Sequence, residues 1–205
     1  MTRNTIAAMS LPLRLAAIHQ AGHAVVGEVC GLECRSLTII PNEDDGALGH
    51  VTHPAVSGIF LEQMEVQMYR HGDPEWAAIK DWVDSNTKCS LAGALAQQRV
   101  TGNYDWDGAG RDIQNIADKL LKVYGDEGPD YAPDLCPFFD DGIPDWSKIV
   151  RRARELWDLD VEAILTDHWD WVETVAELAL EHRTLTGDQV RAVRPSEDFD
   201  TDFFY

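Results

Sequence analysis

The sequence is poor in positive charge. Only 17 lysine and arginine residues stand against 36 aspartate and glutamate residues, which gives a formal net charge of −19 at pH 7. Nucleic acids and anionic membranes bind clustered cations, so this composition argues against both as partners. The sequence also lacks a run of about eighteen apolar residues, so we expect no membrane span. Cations, metals and neutral or basic peptides remain as plausible partners.

Cysteine is also scarce and scattered. The four cysteines are Cys30, Cys34, Cys89 and Cys136. A chain of this size with so few, widely separated thiols is typical of a reducing compartment and not of a disulfide framework. We therefore predict free thiols and a cytoplasmic location.

The 205 residues are 44% hydrophobic, which predicts one folded domain over 1–193 followed by an acidic, flexible tail over 194–205. Apolar residues on a helical period predict a first helix over 11–30, and β-branched residues predict strands over 36–40 and 47–53. Helical patterns follow over 58–71, from a start at 73–75, and over 86–100, 111–124, 146–165 and 167–183. The fold class is therefore α+β and mainly α, with a small N-terminal β-sheet.

Two histidines lie four residues apart in the first helix. His19 and His23 would lie one above the other on one helix face, where a single tetrahedral cation could accept a nitrogen from each. The pair alone is weak support, because two half-buried histidines at a polar helix edge would look the same. The residues around the pair favour the metal-site interpretation over this alternative.

The segment His19-Gln-Ala-Gly-His23 resembles the H-E-A-G-H-A helix of the FtsH-type zinc peptidases. Further stretches resemble that family in the same order along the chain, which extends the resemblance over about residues 10–192. These stretches are Leu37-Thr-Ile-Ile-Pro41, Ala47-Leu-Gly49, Leu91-Ala-Gly-Ala-Leu-Ala-Gln97, Gly110-Arg-Asp-Ile-Gln-Asn-Ile-Ala117, Val123-Tyr-Gly125 and Thr184-Leu-Thr-Gly-Asp188.

The resemblance implies a zincin-like helix bundle that holds one Zn²⁺ ion. It implies His19 and His23 as ligands, with Asp112 at the position of the family's third ligand. Three protein ligands and one open position are what a catalytic zinc site requires. The loop before Asp112 departs from the family spacing, so Asp105 and Asp107 remain rival ligands.

One departure concerns the chemistry directly. The family's catalytic glutamate is Gln20 here, and an amide cannot accept a proton from water near neutral pH. General base catalysis is worth about 10²–10⁴-fold in rate, so we expect weak or lost activity. Three explanations stay open. The protein is a natural pseudopeptidase, the glutamine replaces a native glutamate, or another group, His50 or Glu28, serves as the base.

The resemblance also implies the substrate class, which is unstructured peptides and proteins. We expect a peptide to add to the strand carrying Ala47, Leu48, Gly49 and His50, although this strand could equally lie inside a packed sheet. The 205 residues contain no G-x-x-x-x-G-K-[ST] phosphate loop, so we expect a flexible substrate or a separate unfoldase or partner protein. The alternatives are a catalytically inactive module that binds a peptide or protein and, less favoured, a metal-free structural protein.

Overall fold

A computed structural model describes residues 11–41, 49–54, 74–105, 112, 139–140, 143–144 and 146–196. These ranges are mainly helical and contain two small antiparallel sheets, which confirms the predicted α+β, mainly α class. The helices are α1 Leu11–Val29, α2 Pro74–Thr101, α3 Trp146–Asp167, α4 Trp169–His182 and α5 Gly187–Ala192. The strands are β1 Ser36–Thr38, β2 His50–Thr52, β3 Phe139–Asp140, β4 Ile143–Pro144 and β5 Thr184–Thr186.

The centre of the described core is helix α1, which packs against α2 and α4. Three of its fully buried residues are small, namely Ala17, Ala21 and Ala24. Gly22 lets α2 come closer still, because a Cβ there would lie 2.8 Å from both the Ala92 carbonyl oxygen and the Ala96 Cβ. Small side chains shorten the distance between helix axes. The contact therefore brings the histidine face of α1 close to the backbone of α2.

The three-stranded sheet has β1 in the middle, with β2 and β5 antiparallel on its two sides. Leu37 of β1 is the partner of Val51 in β2 and of Leu185 in β5. The pairing of β1 with β2 confirms the predicted N-terminal strands. Strand β5 was not predicted, because three residues are too short for an alternating pattern to be recognised. Among the described residues, β2 has a strand partner on one side only.

Helix α2 is a single helix of 28 residues, whereas the sequence predicted a helix start at 73–75 and a separate helix over 86–100. The polar residues in its middle do not interrupt it, because they bond within the helix. Asn86 donates its side-chain amide to the Trp82 carbonyl, and Thr87 donates its hydroxyl to the Val83 carbonyl, both at 2.8 Å. The predicted helix over 58–71 lies outside the described residues, as do all of the helix over 111–124 except Asp112 and the tail from 197 onward.

The C-terminal elements close the fold over α1. Trp171 of α4 is fully buried and donates its indole N–H to the Val190 carbonyl of α5 at 2.8 Å. Arg191 of α5 donates to the Glu28 carboxylate at 2.7 Å, near the end of α1. Thr186 and Gln189 form a capping box that starts α5. The last elements in sequence are therefore bonded to the first helix.

In the part of the chain that is described, no helix combines the length and the apolar content that a bilayer-crossing segment requires. Cys30, Cys34 and Cys89 are free thiols, as the sequence predicted for them. Cys136 lies outside the described ranges.

Truncation of Leu185 tests the importance of β5. Leu185 is 1% exposed and belongs to the hydrophobic core, so Leu185→Ala should lower the free energy of unfolding by about 2–5 kcal/mol. The exposed Glu173→Ala in α4 should change it by less than about 0.5 kcal/mol. Urea denaturation of both variants measures the two effects, and equal stability would contradict the assignment of β5 to the core.

Candidate metal centre

Three side chains converge at one point beside α1. The Nε2 atoms of His19 and His23 are 2.9 Å apart. The Oδ2 atom of Asp112 lies 3.2 Å from the first nitrogen and 3.3 Å from the second. These three residues form a group of potential metal ligands, as the resemblance implied. Of the rival acids, Asp105 is exposed and outside this group, and Asp107 lies outside the described residues.

Hydrogen bonds on the far side of each ring determine which nitrogen faces the centre. His23 Nδ1 lies 2.6 Å from the Cys89 carbonyl oxygen, and His19 Nδ1 lies 3.0 Å from Gln97 Oε1. Both partners are acceptors, so both Nδ1 atoms carry a proton. In a neutral imidazole the other nitrogen then has a lone pair. Both Nε2 lone pairs are therefore directed toward each other and toward the carboxylate.

This arrangement is unfavourable without a positive charge at its centre. Two lone pairs and a carboxylate provide three acceptors and no donor, and acceptors at hydrogen-bond distance repel one another. The spacing suits a cation, since zinc with ligand bonds of about 2.0–2.1 Å in a tetrahedron has neighbouring ligand atoms about 3.3 Å apart. The observed separations of 2.9, 3.2 and 3.3 Å are close to that value. The donor set therefore fits a zinc ion.

The pKa values of His23 and Asp112 also indicate that this site favours a positive charge. Burial by itself would lower the pKa of His23, but the Asp112 carboxylate outweighs it and holds that pKa well above the usual value. Burial would raise the pKa of Asp112, but the neighbouring His23 and His19 hold it well below its usual range. Without a metal, a proton on His23 supplies the positive charge that the carboxylate attracts.

Gly93 of α2 provides the space for the centre. A Cβ on Gly93 would lie 2.6 Å from His19 Nε2 and closer still to His23 Nε2, so any side chain would occupy the region in front of the ligand atoms. In the sequence, Gly93 was noted as part of the Leu91–Gln97 stretch that resembles the family. A glycine inside an alanine- and leucine-rich helix was the signal that could have identified this role.

Gln20 lies on α1 next to the first ligand. It is 7% exposed, and its Oε1 atom makes no hydrogen bond with the described residues. Its Cγ would be 3.2 Å from a Cβ on Gly49, which also lies against the Thr38 carbonyl and Ile39 at the end of β1. The Gln20 side chain is thus enclosed between α1 and the end of the sheet, and its Oε1 atom accepts no hydrogen bond from the described residues.

The two alternative bases lie elsewhere. The carboxylate of Glu28 accepts a hydrogen bond from the Cys34 backbone N–H at 2.8 Å and from Arg191 at 2.7 Å, about two helix turns beyond His19. His50 is exposed on β2. Neither arrangement lends support to a role as base. Of the strand residues expected to bind substrate, Gly49 is buried, and Ala47 and Leu48 lie outside the described ranges.

A thiol–imidazole pair adjoins the centre and was not predicted. Cys89 Sγ lies 3.4 Å from His53 Nε2 and 3.3 Å from the His23 carbonyl. Burial raises the pKa of Cys89, but hydrogen bonds from His23 and His53 offset this and lower the pKa to about 7. His53 in turn donates through Nδ1 to the Glu33 carbonyl at 3.1 Å. Cys89 therefore supports His23 through its backbone and contacts His53, next to β2, through its thiol.

Comparisons with known proteins find similarity along almost the whole chain. The chain is 28% identical, over 98% of its length, to the ATP-dependent zinc metalloprotease FtsH of Rickettsia prowazekii. It is 27% identical over 98% to the protein of that name from Rickettsia typhi and 28% identical over 90% to that from Leptotrichia buccalis. The chain is therefore similar, along almost all of its length, to proteins named FtsH zinc metalloprotease. No protein-family model matches it.

The FtsH relatives are much longer proteins. The chain spans 32% of the length of the two Rickettsia proteins and 23% of the Leptotrichia protein. Their name specifies zinc and proteolysis, and the sequence resemblance implied the same two properties for the His19–His23–Asp112 group.

Adding one methyl group at Gly93 tests the space for the ion. Gly93→Ala should abolish stoichiometric zinc binding because the new Cβ enters the region between the histidine nitrogens and the ion. The metal-free variant should still fold, because the gain of about 0.5–1 kcal/mol from replacing a glycine within a helix opposes the cost of displacing two rings that are hydrogen-bonded through Nδ1. Zinc content and thermal unfolding of the metal-free form measure the two effects. Full zinc occupancy in Gly93→Ala would contradict the proposed centre.

Removal of the Gln97 acceptor tests the orientation of His19. Gln97→Leu should weaken zinc binding about 10–100-fold, because His19 Nδ1 loses the group that fixes its proton and its ring orientation. Gln98→Leu, the same change at the next position, should leave zinc affinity unchanged. Competition with a chromophoric chelator measures both variants. Equal zinc affinities for the two would show that Gln97 does not position the ligand.

Proposed function

We propose that this chain is a zinc metallopeptidase-type domain acting on unstructured peptides, with hydrolysis weakened or lost because Gln20 replaces the catalytic glutamate. The observation that carries the proposal is the convergence of three acceptors, His19 Nε2, His23 Nε2 and Asp112 Oδ2, within 3.3 Å of one another. The zinc named in the FtsH relatives supports the same ion here.

The residues of the proposed site have distinct roles. His19, His23 and Asp112 would hold the ion, while the Cys89 carbonyl and Gln97 keep both rings in the required tautomer. A bound zinc ion lowers the pKa of a water ligand to about 7 and polarises a substrate carbonyl. Gln20 can orient a neighbouring polar group through its amide, but it cannot receive a proton. Substrate positioning is therefore retained while the proton-transfer step is impaired.

The edge of the sheet supports a peptide substrate. Strand β2 has one strand partner among the described residues, and its first residue, His50, follows Gly49, which packs against Gln20. A peptide could add to β2 in extended form, with specificity coming from alternate side chains. This mode requires a flexible substrate, or a separate unfoldase that delivers one. A cytoplasmic location fits the free thiols.

A second candidate function is a peptide- or protein-binding module without catalysis. The specific observation in its favour is Gln20 itself, because the amide removes the base while leaving the three ligands intact. Binding and catalysis differ here in a single atom of one side chain, so one substitution separates them.

Restoring the carboxylate is the test. The zinc-loaded Gln20→Glu variant should digest casein at least about 10²-fold faster than the unchanged protein, because a general base becomes available. Gln189→Glu, the same change on the exposed surface of α5, should have no effect. The activity of all three proteins is measured as the rate at which soluble peptides are released from casein.

The outcomes separate the candidates. Equal activity of the unchanged protein and the Gln20→Glu variant would remove the role assigned to this position. If both bind zinc and neither cuts, the binding module is favoured. If the protein does not bind one zinc ion per chain, the metal-free structural alternative is favoured. Asp112→Asn should then leave both the metal content and the casein digestion unchanged.

A further inference from the structure

The Gln20 amide lies where a buried polar group needs a partner. Its side chain is 7% exposed, and its Oε1 position is buried without a hydrogen bond to the described residues. Leaving a buried polar atom without a hydrogen-bond partner destabilises the protein. The two ends of an amide exchange by a half-turn of the terminal torsion, so this position can offer either an acceptor or an N–H donor. A bound ligand that pairs with the amide would remove the cost.

The charge of the site determines which ligand is favoured. A divalent ion, the Asp112 carboxylate and two neutral imidazoles sum to one net positive charge, and Gln20 adds none. A glutamate at this position would cancel that charge and repel an anion. Opposite charges a few ångströms apart attract more strongly in a partly buried site than in bulk water, because the effective dielectric constant is lower. With glutamine the site therefore combines a positive charge and an amide donor, a combination that suits a carboxylate.

We infer that glutamine at position 20 makes this cleft a receptor for the C-terminal carboxylate of a peptide. The inference rests on the proposed function and specifies its ligand. The carboxylate would be held by the positive centre and by the Gln20 N–H. No bond is made or broken in this event, so the site retains a peptide end that a glutamate would help to expel.

The sheet favours a peptide over a small free carboxylate. Gly49 adjoins the Gln20 Cγ as well as the backbone of Thr38 and Ile39, so the Gln20 side chain passes next to the residue that precedes strand β2. A peptide paired with the edge of β2 that has no strand partner among the described residues would have its backbone directed past this point. The edge supplies backbone hydrogen bonds that acetate cannot use. The peptide end should therefore bind more tightly than the isolated functional group.

The experiment compares two forms of one fluorescent hexapeptide, with a free C-terminal carboxylate and with a C-terminal amide. Fluorescence anisotropy with the zinc-loaded protein should give at least about tenfold tighter binding of the free acid. Gln20→Glu should lose most of this preference, and Gln20→Leu, which removes the donor without adding charge, should weaken binding of the acid alone. Gln189→Glu serves as the matched surface control.

Several results would overturn the inference. These are equal affinity for the two peptides, an unchanged preference in Gln20→Glu, and competition by acetate at the same concentration as the peptide. Zinc content and circular dichroism of each variant establish that it is folded and loaded. If zinc binds and Gln20→Glu digests casein while the carboxylate preference is absent, only this inference fails. Absence of zinc from the unchanged protein would overturn the proposed function and the inference together.

Discussion

The structure depends on the mutual repulsion of three acceptors and on the positive charge that resolves it. His19 and His23 each donate from Nδ1 to a fixed oxygen, so their Nε2 lone pairs face Asp112 across about 3 Å. No rearrangement of protons within neutral rings relieves this, because both donors are already used. A proton can compensate, as the raised pKa of His23 shows. A divalent cation compensates better because it satisfies all three atoms at once.

The fold provides this cluster through close helix packing. Gly22 removes a side chain between α1 and α2, and Gly93 removes one in front of the histidines. The same contact places Cys89 and Gln97, both on α2, behind the two rings. The sheet and α5 then hold the opposite end of α1 through Glu28 and Arg191. The packing of α1 on α2 and the geometry of the ligands therefore depend on the same helix pair. A change in the distance between these two helices would affect the packing and the ligand geometry together.

Part of the site could be predicted from sequence because its signals are local or belong to a recognisable family pattern. The spacing of His19 and His23 follows from helix periodicity, and Asp112 follows from the resemblance. The outer hydrogen bonds could not be predicted, since they join residues 66 and 78 positions apart whose types carry no particular signal. Strand β5 was missed for a related reason: its pairing with β1 is decided by tertiary contacts and not by its three residues.

The similarity to FtsH proteins and the geometry of the centre lead to the same ion by separate routes. Their agreement can be examined directly at the metal, independently of any activity. Zinc X-ray absorption of the loaded protein reports the type and distance of each ligand atom. Two imidazole nitrogens and one carboxylate oxygen at about 2.0–2.1 Å, with a further light atom from solvent, are the predicted shell. A spectrum dominated by sulfur at about 2.3 Å, or one without imidazole scattering, would contradict the central claim.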